Sequence, residues 1–84
     1  MNFKGDKRLY QIVEEVLDEL QRAQLKFPSM VSPHEGYAIL LEEVDELWDL
    51  VKPNKGKTFE AEIEAKQVAA MAIRYLYDLT EMGK

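Results

Sequence analysis

The chain has 84 residues and no cysteine, so it holds a single domain, residues 1–84, with no disulfide to support a small core. Its 11 Lys and Arg against 16 Asp and Glu leave a net charge of −5 with no Lys/Arg-rich run, which disfavours a nucleic-acid polymer as partner. A hydrophobic share of 46% beside 32% charged residues is the balance of a folded protein rather than of a disordered chain.

The longest apolar run, residues 68–73, stops at Arg74. That falls far short of the roughly 20 residues a helix needs to cross a bilayer. Residues 1–6 hold no apolar stretch of the secretory kind, and with cysteine absent the expectation is a cytoplasmic protein without a membrane partner.

Apolar side chains at Leu9, Ile12, Val13, Val16, Leu17, Leu20 and Phe27 recur at threes and fours, which predicts a first helix. It begins near Asp6 as N-cap and ends by Phe27, because Pro28 disfavours helical geometry at the residue before it. Ser32-Pro33-His34-Glu35 starts a second helix with a capping Ser, a Pro in the first turn and a Glu placed for a reciprocal cap. Tyr37, Leu40, Leu41, Val44, Leu47, Trp48 and Val51 carry it until Pro53 stops it near Val51 or Lys52, with Asn54 and Gly56 marking the turn.

A third, Ala-rich helix is expected over residues 58–82, on Ile63, Val68, Met71, Ala72, Tyr75, Leu76 and Leu79, with Gly83 closing it as a C′ residue. Ala69, Ala70 and Ala72 allow a neighbouring helix to approach closely. Together these elements predict an all-α fold, an antiparallel bundle of three main helices completed by homodimerisation.

The second helix carries Glu35, Glu42, Glu43, Asp45, Glu46 and Asp49 with no Lys or Arg among them. Like charges three or four apart on a helix cost roughly 0.2–0.5 kcal/mol per pair, so compensation is expected from outside the helix. Glu43 and Glu46 share a helical face, as do Glu42 and Glu46, and the third helix repeats the three-residue spacing with Glu64 and Gln67 beside an apolar stripe. An acidic run is most often a solvated face. A second acid on another helix, flanked by apolar residues, instead suits a hard cation such as Mg²⁺, and the all-oxygen set argues against zinc.

The run Glu42-Glu43-Val44-Asp45-Glu46, followed by Glu64-Ala65-Lys66-Gln67, resembles the paired acidic signature of the MazG-like all-α nucleoside triphosphate pyrophosphohydrolases. Ser32-Pro33-His34-Glu35-Gly36-Tyr37-Ala38 and residues 67–74 resemble a branch of small members of that family. The resemblance implies an enzyme that cleaves an NTP or dNTP between its α and β phosphates, using Mg²⁺ or Mn²⁺. It implies metal ligands at Glu43, Glu46, Glu64 and Gln67, and catalytic roles for Glu42, Glu43 and Glu46. It also implies a homo-oligomer, either a dimer or a dimer of dimers.

Gln67 stands where that family usually has Asp; its carbonyl oxygen can ligate a cation but adds no charge. Either it acts through a water, or Glu42 or Asp45 substitutes for the missing acid. A catalytically silent helical module that binds a nucleotide or a partner protein is the alternative reading.

Lys52, Lys55 and Lys57 can meet the β and γ phosphates of a substrate, or simply complement a helix C-terminus. Trp48 and Tyr75 can stack on a base or pack in the core. The single histidine, His34, cannot build a His-containing carboxylate site of the ferritin type.

Overall fold

A computed structural model describes residues 5–84: α1 (Lys7–Lys26), α2 (Pro33–Val51) and α3 (Phe59–Leu79), followed by a short 3₁₀ turn over Glu81–Gly83. Among the described residues there is no strand, and the fold is the expected all-α three-helix bundle. Residues 1–4, most of the N-terminal stretch read above for a secretory pattern, lie outside the described residues. No helix among the described residues is long and apolar enough to cross a membrane.

Each helix begins where a side chain takes up an orphan amide. Asp6 Oδ1 accepts from the Leu9 amide at 2.8 Å, Ser32 Oγ from Glu35 at 3.2 Å and Thr58 Oγ1 from Ala61 at 3.4 Å. The Glu35 carboxylate reaches one residue further back than a reciprocal cap requires, accepting from the Val31 amide at 3.1 Å.

α2 ends in a Schellman motif beyond Pro53. Asn54 takes a left-handed φ of 62°, while the Lys55 amide donates to the Leu50 carbonyl at 2.8 Å and the Asn54 amide to Val51 at 3.0 Å.

α3 stops three residues before the expected Met82. Thr80 is extended, with φ −124° and ψ 167°; its Oγ1 donates to the Leu76 carbonyl at 2.7 Å and accepts from the Met82 amide at 3.2 Å. A β-branched residue with a local hydrogen-bonding alternative competes with the helical ladder, and here it wins. Gly83 is therefore not the C′ residue of α3. It closes the 3₁₀ turn at a point where any Cβ would run into the Tyr77 carbonyl.

α3 is the central element, with α1 along one side and α2 along the other, and the α1 and α2 backbones stay apart. α2 runs antiparallel to α3: Gly36 sits against Tyr75 and Leu79 near one end, and Glu46 meets Glu64 near the other. Gly36 is buried, and a Cβ there would lie 2.6 Å from Leu79 Cδ1, so its bare backbone is what allows the approach.

α1 runs in the same sense as α3, paired successively through Glu15 with Lys66 at 3.0 Å, Glu19 with Gln67 at 2.6 Å and the Pro28 carbonyl with Arg74 at 2.6 Å. Val16 and Leu20 of α1 pack on Ala70 and Met71 of α3, with Ile39 and Leu40 of α2 closing over them. Ala70 has no exposed surface at all, which is the close approach expected from the small residues of α3.

The core is small, and the helices form a flattened layer of 35 × 35 × 20 Å. The radius of gyration is 13.9 Å, against about 12 Å for a compact domain of this length. Much of the apolar periodicity therefore faces outward rather than into this chain's own interior.

Candidate metal centre

Helical spacing aims Glu43 and Glu46 of α2 at the N-terminal part of α3, where Glu64 faces them. One carboxylate oxygen from each of the three lies within 4.8 Å of the other two. Glu43 and Glu64 are half-buried and Glu46 is exposed, so the cluster opens to solvent on one side.

Three carboxylates this close disfavour one another's charge. Burial, followed by the charges of Glu46 and Glu64, pushes the Glu43 carboxyl up to about 7. Burial also raises Glu64, reinforced by Glu46. Glu64 Oε2 is shut off from solvent and has no hydrogen-bond partner. A buried acceptor without a donor, in a set of oxygens that repel each other, fits a bound hard cation, and nothing in the set is soft enough to favour zinc over Mg²⁺ or Mn²⁺.

Beside the cluster lies a cavity of about 420 Å³ between the C-terminal end of α1, α2 and α3. Phe27, Ile39 and Met71 form its apolar walls, while Glu42, Glu43 and Gln67 bring polar atoms to it. Glu43 belongs to both the cavity and the acid cluster, so a molecule in the cavity would reach whatever the carboxylates hold.

The other residues singled out from the sequence are placed as follows. Gln67 lines the cavity, and its Nε2 donates to Glu19 Oε2 at 2.6 Å, so its amide links α3 to α1. Lys52 pairs with Asp49 at 3.3 Å, and neither Lys52 nor Lys55 lines the cavity or joins the cluster. Trp48 is more than half exposed, at 54%. At about 100° per residue it lies roughly 140–160° around α2 from Glu43 and Glu46. Tyr75 packs against Gly36 between α2 and α3.

Arg74 is the residue that sequence reasoning passed over. It is 4% exposed and lines the cavity, its Nη2 donating to the Pro28 carbonyl at 2.6 Å and its Nε lying 3.7 Å from Asp78 Oδ2. Asp78 Oδ2 in turn accepts from the Met30 amide at 2.9 Å, and the guanidinium sits 5.8 Å from the Phe27 ring centre. The pair thereby pins the connector between α1 and α2 onto α3. A signal was present: Gln67, Met71, Arg74 and Asp78 follow each other at fours and threes along the inner face of α3.

Comparison with family models, with curated proteins and with solved structures finds no match to this chain.

Proposed function

We propose that the protein is a Mg²⁺-dependent nucleoside triphosphate pyrophosphohydrolase, converting an NTP or dNTP to its monophosphate and pyrophosphate. The observation that carries this reading is the Glu43–Glu46–Glu64 cluster, with carboxylate oxygens within 4.8 Å, opening onto a cavity large enough for part of a nucleotide. The MazG-like spacing of the same acids supports it from the sequence side.

Glu43, Glu46 and Glu64 would hold the cation, relieving the repulsion that keeps Glu43 and Glu64 reluctant to ionise. Mg²⁺ held there would supply charge neutralisation for the phosphates and a water of lowered pKa, whose oxygen would bond to the α-phosphorus as the bond to the pyrophosphate oxygen breaks. Glu42, on the cavity wall, would orient that water or take its proton. Phe27, Ile39 and Met71 give the nucleoside an apolar seat that excludes water from one side of the reaction.

The experiment is pyrophosphate release from a panel of NTPs and dNTPs, with Mg²⁺ and with excess EDTA, for the wild type and for Glu64→Gln. Metal-dependent release with monophosphate product, lost in Glu64→Gln, supports the enzyme. Silence across the panel from folded protein favours the second reading, a binding module. That reading draws on Gln67, whose amide is engaged with Glu19 rather than adding a fourth charge to the cluster.

A further inference from the structure

The cavity beside the acid cluster has two polar ends. Glu35 and Glu42 of α2 are seven residues apart, as are Gln67 and Arg74 of α3, and all four line it. Seven residues make nearly two helical turns, so each pair shares a face, with about 10 Å between its members. The antiparallel register that sets Gly36 against Tyr75 and Glu46 against Glu64 puts Glu35 level with Arg74 and Glu42 level with Gln67. Glu42 and Gln67 therefore stand at the end next to Glu43 and the cluster, and Glu35 and Arg74 at the end away from it.

The far end combines a donor with an acceptor. Arg74 is 4% exposed, and a guanidinium carries five N–H donors. Nη2 donates to the Pro28 carbonyl at 2.6 Å, while Nη1 lies 3.8 Å from the sulfur of Met71, itself on the cavity wall, so N–H groups on both atoms remain for a further acceptor. Glu35 gives Oε1 to the Val31 amide at 3.1 Å, and Oε2 takes no part in that bond. Among the described residues no ion pair closes Glu35 onto Arg74, whose carboxylate partner is Asp78, and the space between the two stays open.

We propose that this end selects the base of a bound nucleotide by its lactam edge, a ring carbonyl beside a ring N–H: Arg74 donates to the carbonyl oxygen and Glu35 Oε2 accepts from the N–H. Guanine and hypoxanthine carry that edge at O6 and N1–H, uracil and thymine at O4 and N3–H. Adenine and cytosine present an amino group beside a bare ring nitrogen, so donor would face donor and acceptor would face acceptor. A second anion is a poor occupant, because any group meeting Arg74 also meets Glu35, with Glu42 and Glu43 on the same walls. Phe27, whose ring centre lies 5.8 Å from the guanidinium, and Met71 offer apolar surface to a flat ring. The phosphates belong at the other end, beside the cation that Glu43, Glu46 and Glu64 would hold. This selectivity rests on the reading of the cavity as a nucleotide site and adds which bases that site admits.

The test measures calorimetric binding of the four deoxynucleoside triphosphates as non-hydrolysable α,β-imido analogues with Mg²⁺, beside hydrolysis of the four natural compounds. The guanine and thymine analogues should bind about ten- to a hundredfold tighter than the adenine and cytosine ones, the factor of one hydrogen bond to a charged group. Glu35→Gln keeps an acceptor for Val31 but brings a donor as well, and should shrink that ratio severalfold. Arg74→Met should do the same, whereas a merely structural Arg74 would weaken all four alike and leave the ratio unchanged. If Arg74→Met fails to fold, Glu35→Gln decides. Equal affinity for the four bases overturns the proposal, as does a preference for adenine or cytosine, or a ratio that survives the substitutions. Hydrolysis without base preference overturns the base selection alone. Selective binding without turnover supports the base selection and overturns the hydrolytic reading, and binding of none of the four overturns both.

Discussion

The Gln67 amide lies 2.6 Å from Glu19 Oε2, which makes the residue standing at the second acidic position of α3 a strut to α1. Gln67→Asp would replace the donor with a carboxylate facing a carboxylate already held by Arg22 at 2.5 Å. Losing the partner of a part-buried group costs about 1–3 kcal/mol, and each kcal/mol is worth about 4–8 °C of melting temperature in a domain this small. Melting in EDTA should drop by that order, and Mg²⁺ should restore most of the loss. An unchanged melting temperature in EDTA would mean the strut contributes nothing.

The Glu43 carboxyl, pushed up to about 7 by burial and by Glu46 and Glu64, imposes a direction on pH dependence in the metal-free protein. Its ordinary value in the unfolded chain is 4.5, so between there and about 7 the folded state holds a proton that the unfolded state has released. Stability from this group therefore falls as pH rises through that window, and the whole penalty is present above it. Thermal melts in EDTA should show Glu43→Gln more stable than wild type at pH 7.5 and close to it at pH 5. A variant less stable than wild type at both pH values would contradict the repulsion.

Cation binding should remove the same penalty. Ligand that binds only the folded state stabilises by RT ln(1 + [L]/Kd), so millimolar Mg²⁺ should raise the melting temperature at pH 7.5 and release protons as it binds. Glu64→Gln should abolish most of that shift. Lys52→Ala, outside the cluster, should keep it. Calorimetric titration in two buffers of different ionisation enthalpy reads the protons directly.

Asp78 is the counter-charge of the buried Arg74 and also accepts from the Met30 amide at 2.9 Å. Asp78→Ala leaves a buried guanidinium without its partner, a loss of about 3–5 kcal/mol. Arg74→Met keeps the volume and removes the charge, so it should be the milder change. Urea denaturation of the two variants gives the order, and a reversed order would show that Arg74 needs no counter-ion.

Gly36→Ala tests the α2–α3 crossing. The gain in helix propensity is about 0.5–1 kcal/mol, but the new Cβ would lie 2.6 Å from Leu79 Cδ1 and 2.7 Å from Tyr75 Cδ2. Overpacking of this kind costs about 1–3 kcal/mol. Net destabilisation by chemical denaturation is expected, with a reduced Mg²⁺ response because Glu46 and Glu64 sit across the same helix pair.

What was legible in the sequence was what local chemistry decides. Asp6 and Ser32 cap their helices as expected, because a short oxygen-bearing side chain satisfies amides three residues on and no distant partner is needed; Thr58, counted from the sequence as part of the third helix, proves to be its cap. The Glu43–Glu46 pair follows from helical period alone. Its meeting with Glu64 followed from packing α2 antiparallel to α3. The rest depended on relations that period does not encode. Apolar spacing marks several faces of α2 without saying which meets α3, so Trp48 reads as a core or stacking residue, whereas it is 54% exposed. The partner of Gln67 lies on α1, and the Arg74–Asp78 clamp has meaning only once the connector is folded over it. Thr80 ended α3 early because its hydroxyl offered the backbone a local alternative that an apolar count cannot register.

All three cluster carboxylates belong to the single helical hairpin of α2 and α3, while α1 and the start of the connector reach the site at its edge, through Glu19 and Ala23 and through Phe27 and Pro28. Contacts within this hairpin close a shorter loop than those α1 makes with α3, so they cost less chain entropy to form. A cation held by the hairpin would therefore act on the folding transition state as well as on the finished protein, speeding folding more than it slows unfolding. In its absence the three charges would resist the first step of assembly, so the same residues that would serve the site set how readily the chain becomes itself.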